Sequence, residues 1–244
     1  MRGRVLAATA AAVLGVAAAS VPPPAGAAKA KYPRVEQLVA FRDGSALERA
    51  ATAKKATVRV GGRDCAAGTG TPLAALARID PPKLRLRDYG SCSRSPADGA
   101  GLFVRRIGGD SNRGVDGWVY KVGSKIATAG AADPSGPFGR GRLRDGARVT
   151  WFYCRLDTRT RSCQRTLAVR VEPAGPGRAA VHVRAHDDRG RSVPAEGATV
   201  RSGDVTATAD ADGEAVLQLP PGRHRVHAER SGDVRSFSEE VDVG

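Results

Sequence analysis

The sequence is poor in the residues on which most enzyme sites depend. It contains four histidines, all after residue 181, and four cysteines, none of which forms a Cys-x-x-Cys pair. There is no Gly-x-Ser-x-Gly segment, and the Gly-rich run 108–114 has neither the P-loop nor the dinucleotide-binding spacing. Because no Ser–His or Cys–His pair is indicated, we predict that the protein is not an enzyme and uses no cofactor.

The histidines and acidic residues also lack the spacing of a metal site. His182 and His186 face the same side of a predicted strand, but four residues of strand separate them by roughly 13 Å. That distance is too long for two ligands of one ion. Asp210, Asp212 and Glu214 offer oxygens to Ca²⁺, yet the EF-hand spacing is absent and a tight turn is favoured. We therefore predict no metal site.

Long apolar runs are absent except at the N-terminus. After Arg2 and Arg4 the apolar run 5–19 is too short for a bilayer core of roughly 30 Å. Small residues at 25–27 then offer a cleavage site of the secretory type. We predict that residues 1–27 are a signal peptide, with an uncleaved membrane anchor as the alternative. The mature chain is then secreted without a transmembrane segment, either free or associated with the cell envelope.

Four cysteines in an exported chain suggest two disulfides, for which three connectivities exist. Cys154 and Cys163 are separated by eight residues rich in arginine and turn formers, so we expect them to clamp a hairpin. Cys65 is then left to pair with Cys92. Loop-closure entropy gives about 2.7 kcal/mol of stabilisation for the shorter bridge and about 3.6 kcal/mol for the longer one. We interpret both as structural.

Charge is distributed unevenly along the chain. Residues 28–167 hold 27 Lys and Arg against 12 Asp and Glu, a net charge of +15, whereas residues 168–244 hold 10 against 13, a net charge of −3. A basic surface attracts anionic polymers such as envelope polysaccharides, lipid headgroups or nucleic acid. Nucleic acid is not expected, because export is predicted and no nucleic-acid-binding motif is present. The alternative is codon bias, since 32 of the 39 cationic residues are Arg in an Ala/Gly-rich chain.

Residues 28–166 have the pattern of an α+β domain with one short helix on a mixed sheet. The helix is predicted up to residue 78, with Thr71 placed to cap it and Pro72 suited to its first position. A β-hairpin is expected before the helix. Its first arm is at 38–41, an Asp-Gly turn follows, and its second arm is at 57–60.

The segments Gly-Trp-Val-Tyr-Lys-Val-Gly at 117–123 and Leu-Arg-Asp-Gly-Ala-Arg-Val-Thr-Trp-Phe-Tyr at 143–153 are predicted strands. Together with the helix they resemble the transcobalamin-like C-terminal domain family, over about residues 58–153. The resemblance implies a small β-grasp-type domain of a kind found in many secreted bacterial proteins. In the vitamin B12 carriers that give the family its name, such a domain covers one face of the corrin.

Residues 167–244 predict a second, all-β domain. Segments of alternating polarity such as 168–171, 181–185 and 215–219 are separated by turn residues, which indicates an Ig-like sandwich. The segments 197–200, 208–213 and 219–224 are similar to the carboxypeptidase-regulatory, transthyretin-like domains. Members of that family are spacers and binding modules, so the resemblance implies a structural or binding role.

The remaining candidate ligand-binding residues are the aromatic side chains of the two strands, Trp118, Tyr120, Trp151 and Tyr153. They would either form a stacking platform beside arginines or form the core of a domain with few other aromatic residues. The sequence therefore predicts a secreted, non-enzymatic binding or adhesion module that contacts anionic envelope polymers through its basic first domain. The alternatives are a small-molecule, corrin-like carrier that uses Trp118 and Trp151, and a hydrolase accessory subunit. No particular small-molecule ligand is indicated.

Overall fold

The computed structural model describes residues 31–244. The predicted signal peptide, residues 1–27, lies outside the described residues. The described chain is largely β-structure, with 18 strands and two short helices. Neither helix in this part of the chain is long and apolar enough to cross a membrane.

Residues 31–165, here called the N-terminal part, contain ten strands and both helices. They are β1 (Arg34–Ala40), β2 (Ala46–Thr52), β3 (Ala56–Val60), β4 (Arg63–Ala67), α1 (Pro72–Arg78), β5 (Arg85–Asp88), α2 (Ser91–Arg94), β6 (Leu102–Ile107), β7 (Asp110–Ser111), β8 (Gly117–Val122), β9 (Lys125–Ile126) and β10 (Arg148–Cys154). Residues 166–244, the C-terminal part, contain only strands. They are β11 (Thr166–Pro173), β12 (Arg178–His186), β13 (Ser192–Pro194), β14 (Thr199–Ser202), β15 (Val205–Thr208), β16 (Glu214–Gln218), β17 (Gly222–Glu229) and β18 (Glu239–Val243).

The N-terminal part is built on a five-stranded mixed sheet with the strand order β2-β1-β10-β8-β9. Strands β1 and β10 are parallel, and the other neighbours are antiparallel. Helix α1 buries Leu73 and Leu76 in the core on one face of this sheet. The predicted cap is present, because Thr71 Oγ1 accepts a hydrogen bond from the backbone N–H of Ala74 at 3.2 Å and Pro72 opens the helix. Two smaller sheets, β3-β4 and β5-β6-β7, complete the N-terminal part.

The predicted first hairpin is wrong in its second arm. Strand β1 turns at the Asp43-Gly44 segment and pairs with β2, in the register Leu38↔Glu48. The segment 57–60, which the sequence assigned to that arm, lies in β3 and pairs instead with β4 across Gly61-Gly62. Strand β2 was missed because its sequence, ALERAAT, consists mainly of residues that favour helices.

Both predicted disulfides are present, one joining Cys65 to Cys92 and one joining Cys154 to Cys163. The first ties β4 to the short helix α2. The second closes the loop that follows β10, as the hairpin interpretation expected. Each bridge therefore fixes a segment that has little regular structure of its own.

The C-terminal part contains two four-stranded antiparallel sheets. One joins β11, β12 and β13, with β16 paired to β12, and the other has the order β15-β14-β17-β18. Alternate side chains of both sheets are buried in one core, with Val183, Leu217, Val226 and Val241 among its members. This core is distinct from the one that contains α1.

The two parts pack against each other through the second face of the five-stranded sheet. In β10, Trp151 and Tyr153 belong to the core that contains α1. Phe152 and Cys154 point the opposite way and form a third buried cluster with Val234 of the C-terminal part. Strand β10 is therefore buried on both sides, and the C-terminal part is docked rather than tethered.

Ion pairs extend this contact beyond the apolar cluster. Glu48 of β2 accepts hydrogen bonds from the backbone and the hydroxyl of Ser238 and pairs with Arg225 at 3.1 Å. Arg148 of β10 pairs with Glu239, and its guanidinium lies 5.1 Å from the ring centroid of Phe237. These contacts fix the orientation of the C-terminal part on the sheet.

Candidate functional site

The four aromatic residues singled out in the sequence lie in the N-terminal core. Trp118, Tyr120, Trp151 and Tyr153 are 2%, 6%, 1% and 5% exposed. The register of β8 and β10 places Tyr120 opposite Trp151 and Trp118 opposite Tyr153. Their ring centroids are 4.9 Å and 6.2 Å apart, distances that are typical of aromatic pairs in a core.

The polar atoms of these rings are also satisfied inside the protein. Trp118 Nε1 donates to the backbone carbonyl of Asp110 at 2.8 Å, and Trp151 Nε1 donates to Gln37 Oε1 at 2.8 Å. The Tyr120 hydroxyl donates to a backbone carbonyl, and burial raises the pKa of Tyr120. Almost no ring surface is left for a ligand, so these residues offer no open stacking platform for a corrin.

Two other aromatic side chains, which the sequence pattern does not single out, are exposed. Tyr89 is 64% and Phe103 is 41% exposed, and their ring centroids are 6.1 Å apart. Alternation in β6 explains the position of Phe103, because its neighbours Leu102 and Val104 are buried in the N-terminal core. Phe103 therefore shares the solvent face of the three-stranded sheet with Arg105.

These rings line a cleft of about 950 Å³. Val115, which is 65% exposed, lies in the same cleft, so three of the five exposed large hydrophobic residues in the described chain meet there. Exposed apolar surface that is concentrated in one concave place is a feature of binding sites. The cationic side chains that line the cleft are Arg87, Arg105, Lys125, Arg161 and Arg189.

None of these five cations makes a side-chain hydrogen bond or an ion pair with residues 31–244. All five are exposed. Across the described N-terminal part only Lys121 and Arg148 form ion pairs with carboxylates, whereas the cations of all the other pairs among the described residues lie in the C-terminal part. The cleft lining also contains the carboxylates of Asp116 and Asp188, so the five cations leave an excess of positive charge around the cleft.

The C-terminal part supplies one wall of the cleft through the turn at 187–190. Lys121 of β8 is completely buried, and its Nζ donates to the backbone carbonyls of His186 at 3.1 Å and Asp187 at 3.0 Å. It lies 3.5 Å from Asp188 Oδ1. Burial lowers the pKa of Lys121, and Asp188 acts in the opposite direction. This contact positions Arg189 beside the cleft.

Two backbone contacts hold the same turn from other sides. The backbone N–H of Ile126 donates to the carbonyl of Asp188 at 3.0 Å, and that of Cys163 donates to Asp188 Oδ2 at 2.9 Å. Lys125 and Arg189 form an isolated antiparallel bridge. The turn is therefore fixed to β9 and to the Cys154–Cys163 loop, and two of the cleft cations occupy defined backbone positions.

A second cleft, of about 670 Å³, lies at the junction of the two parts, and several of its charged side chains are paired within the protein. Arg230 pairs with Asp233 at 2.7 Å, and Glu229 pairs with His227 at 3.1 Å. A ligand there would have to compete with these internal partners. The cleft around Tyr89 and Phe103 is the stronger candidate.

The segments considered for metal binding have other partners. His182 Nδ1 lies 3.3 Å from Glu214 Oε1 across two paired strands. Asp210 Oδ1 accepts the backbone N–H groups of Asp212 and Glu214, which is the tight turn that the sequence favoured over a Ca²⁺ loop. Within residues 31–244 no group of three metal-ligating side chains converges.

No protein-family model, curated protein or solved structure matches this chain. The function must therefore be argued from the geometry and charge of the cleft.

Proposed function

We propose that this protein is a secreted, non-enzymatic binding module that attaches to anionic polymers of the cell envelope through its basic N-terminal part. The observation that carries the proposal is the cleft with five exposed cations that make no ion pair with the described residues. Unneutralised charge in a concave site concentrates a polyanion by long-range attraction. A non-catalytic role is supported by the use of all four cysteines in disulfides.

The proposal includes two domains of different kinds. The mixed sheet with α1 on one face supports a β-grasp-like, transcobalamin-like domain at 28–166. The two antiparallel sheets around one core support an Ig-like, transthyretin-like sandwich at 167–244. The two disulfides support a location outside the reducing cytosol. In this arrangement the sandwich supports the cleft, because its 187–190 turn forms one wall.

Binding to two polyanions of different chemistry, poly-L-glutamate and polygalacturonate, tests the proposal. We expect the secreted chain to bind both at low ionic strength and to lose both as salt is raised. The reason is that the screening length falls from about 10 Å at 0.1 M to about 3 Å at 1 M. If the chain binds neither polymer at low salt, the proposal is wrong.

Two substitutions that reverse a charge, one in the cleft and one outside it, test whether the polyanion binds at the cleft. Lys125→Glu changes an exposed cleft cation, and Arg178→Glu changes an exposed cation at the start of β12. Both side chains lack ion-pair partners within residues 31–244. We expect Lys125→Glu to weaken polyanion binding several-fold more than Arg178→Glu. Equal effects would mean that binding follows net charge and not the cleft.

A further inference from the structure

The solvent face of the three-stranded sheet carries aromatic rings where a polar surface would be expected. Tyr89 is 64% and Phe103 is 41% exposed, and both lie above a layer of buried residues, including Leu102 and Val104, which already completes the core. Their exposure therefore contributes little to folding, since transfer from water stabilises only the surface that is buried. The two rings meet edge to face, with an interplanar angle of 68°, and so offer a ligand two apolar contacts that lie at an angle to each other.

Cationic groups lie close to these rings, and one of them makes a cation–π contact with the face of the Tyr89 ring. The guanidinium of Arg87 is 4.8 Å from the ring centroid of Tyr89, and Arg87 is opposite Phe103 in the register of β5 and β6. Arg105 lies two residues beyond Phe103 on the same face. Both arginines are exposed and unpaired within residues 31–244. A ligand at this place would meet an aromatic ring and a positive charge within a few ångströms of each other.

The backbone around the rings is fixed before any ligand binds. The carboxylate of Asp88 accepts backbone N–H groups from Gly90, Cys92 and Ser93. Desolvation raises the pKa of Asp88, but these donors outweigh it and lower the pKa to about 2, so the carboxylate is ionised. Cys92 is in turn bridged to Cys65. A rigid platform loses little conformational freedom on binding.

From this arrangement we infer that the cleft is a subsite for an acidic sugar of a polysaccharide, in which Tyr89 and Phe103 contact the sugar ring and Arg87 and Arg105 pair with its carboxylate. An acidic pyranose carries its carboxylate on a ring carbon, so a sugar that contacts Phe103 and the uncovered part of the Tyr89 ring would bring its charge close to the guanidinium of Arg87. In nucleic acids the sugar separates the base from the phosphate. An aromatic ring that stacks on the base and a cation that pairs with the phosphate must therefore lie further apart. A polypeptide polyanion has no ring to contact.

This inference rests on the proposed function. Binding to three polymers distinguishes a subsite for an acidic sugar from general binding of polyanions. Polygalacturonate carries rings and carboxylates, poly-L-glutamate carries carboxylates without rings, and single-stranded DNA carries bases and phosphates. We expect the secreted chain to bind polygalacturonate about tenfold more tightly than poly-L-glutamate at equal charge, since two ring contacts of ordinary strength suffice for this. DNA should bind more weakly than polygalacturonate.

The double substitution Tyr89→Ala/Phe103→Ala is expected to remove the tenfold preference and leave poly-L-glutamate binding unchanged. The double substitution Tyr89→Phe/Phe103→Tyr should retain the preference. Val193→Ala, which shortens a 43% exposed side chain on β13, is the matched control and should change nothing. Unfolding curves verify that each variant is folded.

Equal binding of the two polymers by the unsubstituted chain would overturn the inference while leaving the proposed function intact. A double alanine variant that keeps its preference would also overturn it. Tighter, ring-dependent binding of DNA would replace the acidic sugar with a nucleic acid. Failure of the unsubstituted chain to bind any of the three polymers would instead remove the proposed function itself.

Discussion

Replacing Lys121 with Met tests whether one buried ammonium group holds the two parts of the protein together. The Lys121 side chain is completely buried, and its Nζ donates to Thr166 Oγ1 at 3.3 Å and to the carbonyls of His186 and Asp187. Asp188 Oδ1 lies 3.5 Å away. Methionine keeps a side chain of similar length but supplies no donor and no charge.

The expected loss of stability follows from the polar groups that the substitution leaves without a donor. Removal of a buried charge relieves its own desolvation, which is the reason that the pKa of Lys121 is lowered. However, Asp188 and the two carbonyls remain at the same place without their donor. Removing one partner of a buried ion pair lowers the free energy of unfolding by about 3–5 kcal/mol. For a chain of this size that corresponds to a fall in Tm of about 6–20 °C.

Guanidinium unfolding followed by tryptophan fluorescence measures this loss, because both tryptophans lie in the N-terminal core. Circular dichroism follows the strands of both parts in the same samples. The control is Lys125→Met, which removes an exposed lysine that has no ion-pair partner within residues 31–244. We expect a large shift of the midpoint for Lys121→Met and almost none for Lys125→Met. Equal midpoints for the two variants would refute the role of Lys121.

Three further predictions follow from single features of the structure. Asp88→Asn should lower Tm at pH 7, and the difference from the unsubstituted chain should shrink as the pH falls from 5 to 2. The lowered pKa of Asp88, about 2, means that its stabilisation is present above the unfolded pKa and is lost as the carboxylate protonates. Replacing Cys154 and Cys163 with Ala should cost about 2.7 kcal/mol in chemical unfolding; an unchanged midpoint would show that the bridge is dispensable. Trp151→Phe removes the donor to Gln37 Oε1, whose side chain is fully buried, and should cost about 1–3 kcal/mol. Trp118→Phe should cost less, because the carbonyl of Asp110 that loses its donor is only partly buried. The opposite order of the two losses would contradict this account.

The features that could be predicted from the sequence are those determined by neighbouring residues. Thr71 and Pro72 predict the start of α1, since a capping hydroxyl and a proline act within one turn of helix. The disulfide between Cys154 and Cys163 follows from their short separation and the turn residues between them. Alternation in β8 and β10 identifies both strands and the residues that share a face.

Pairing between distant segments could not be predicted in this way. Strand β1 pairs in parallel with β10, so that Leu38 lies beside Thr150. Strand β2 is selected by its pairing with β1 although its residues favour a helix. The burial of Phe152 could not be predicted either, because Val234, which packs with it, comes from the C-terminal part.

The candidate cleft shows why the local sequence pattern singled out buried aromatic residues, although the same pattern also held a signal for the exposed ones. Trp118 and Trp151 are the most distinctive residues of the chain, and large rings on strands are used first to fill a core. Phe103 alternates with buried aliphatic residues and shares its face with Arg105, so the arginine indicates that this face is open to water. Arg189 reaches the same cleft because Lys121, Ile126 and Cys163 together anchor its turn. A cleft that is lined by two parts of the chain therefore depends on contacts that neither part specifies alone.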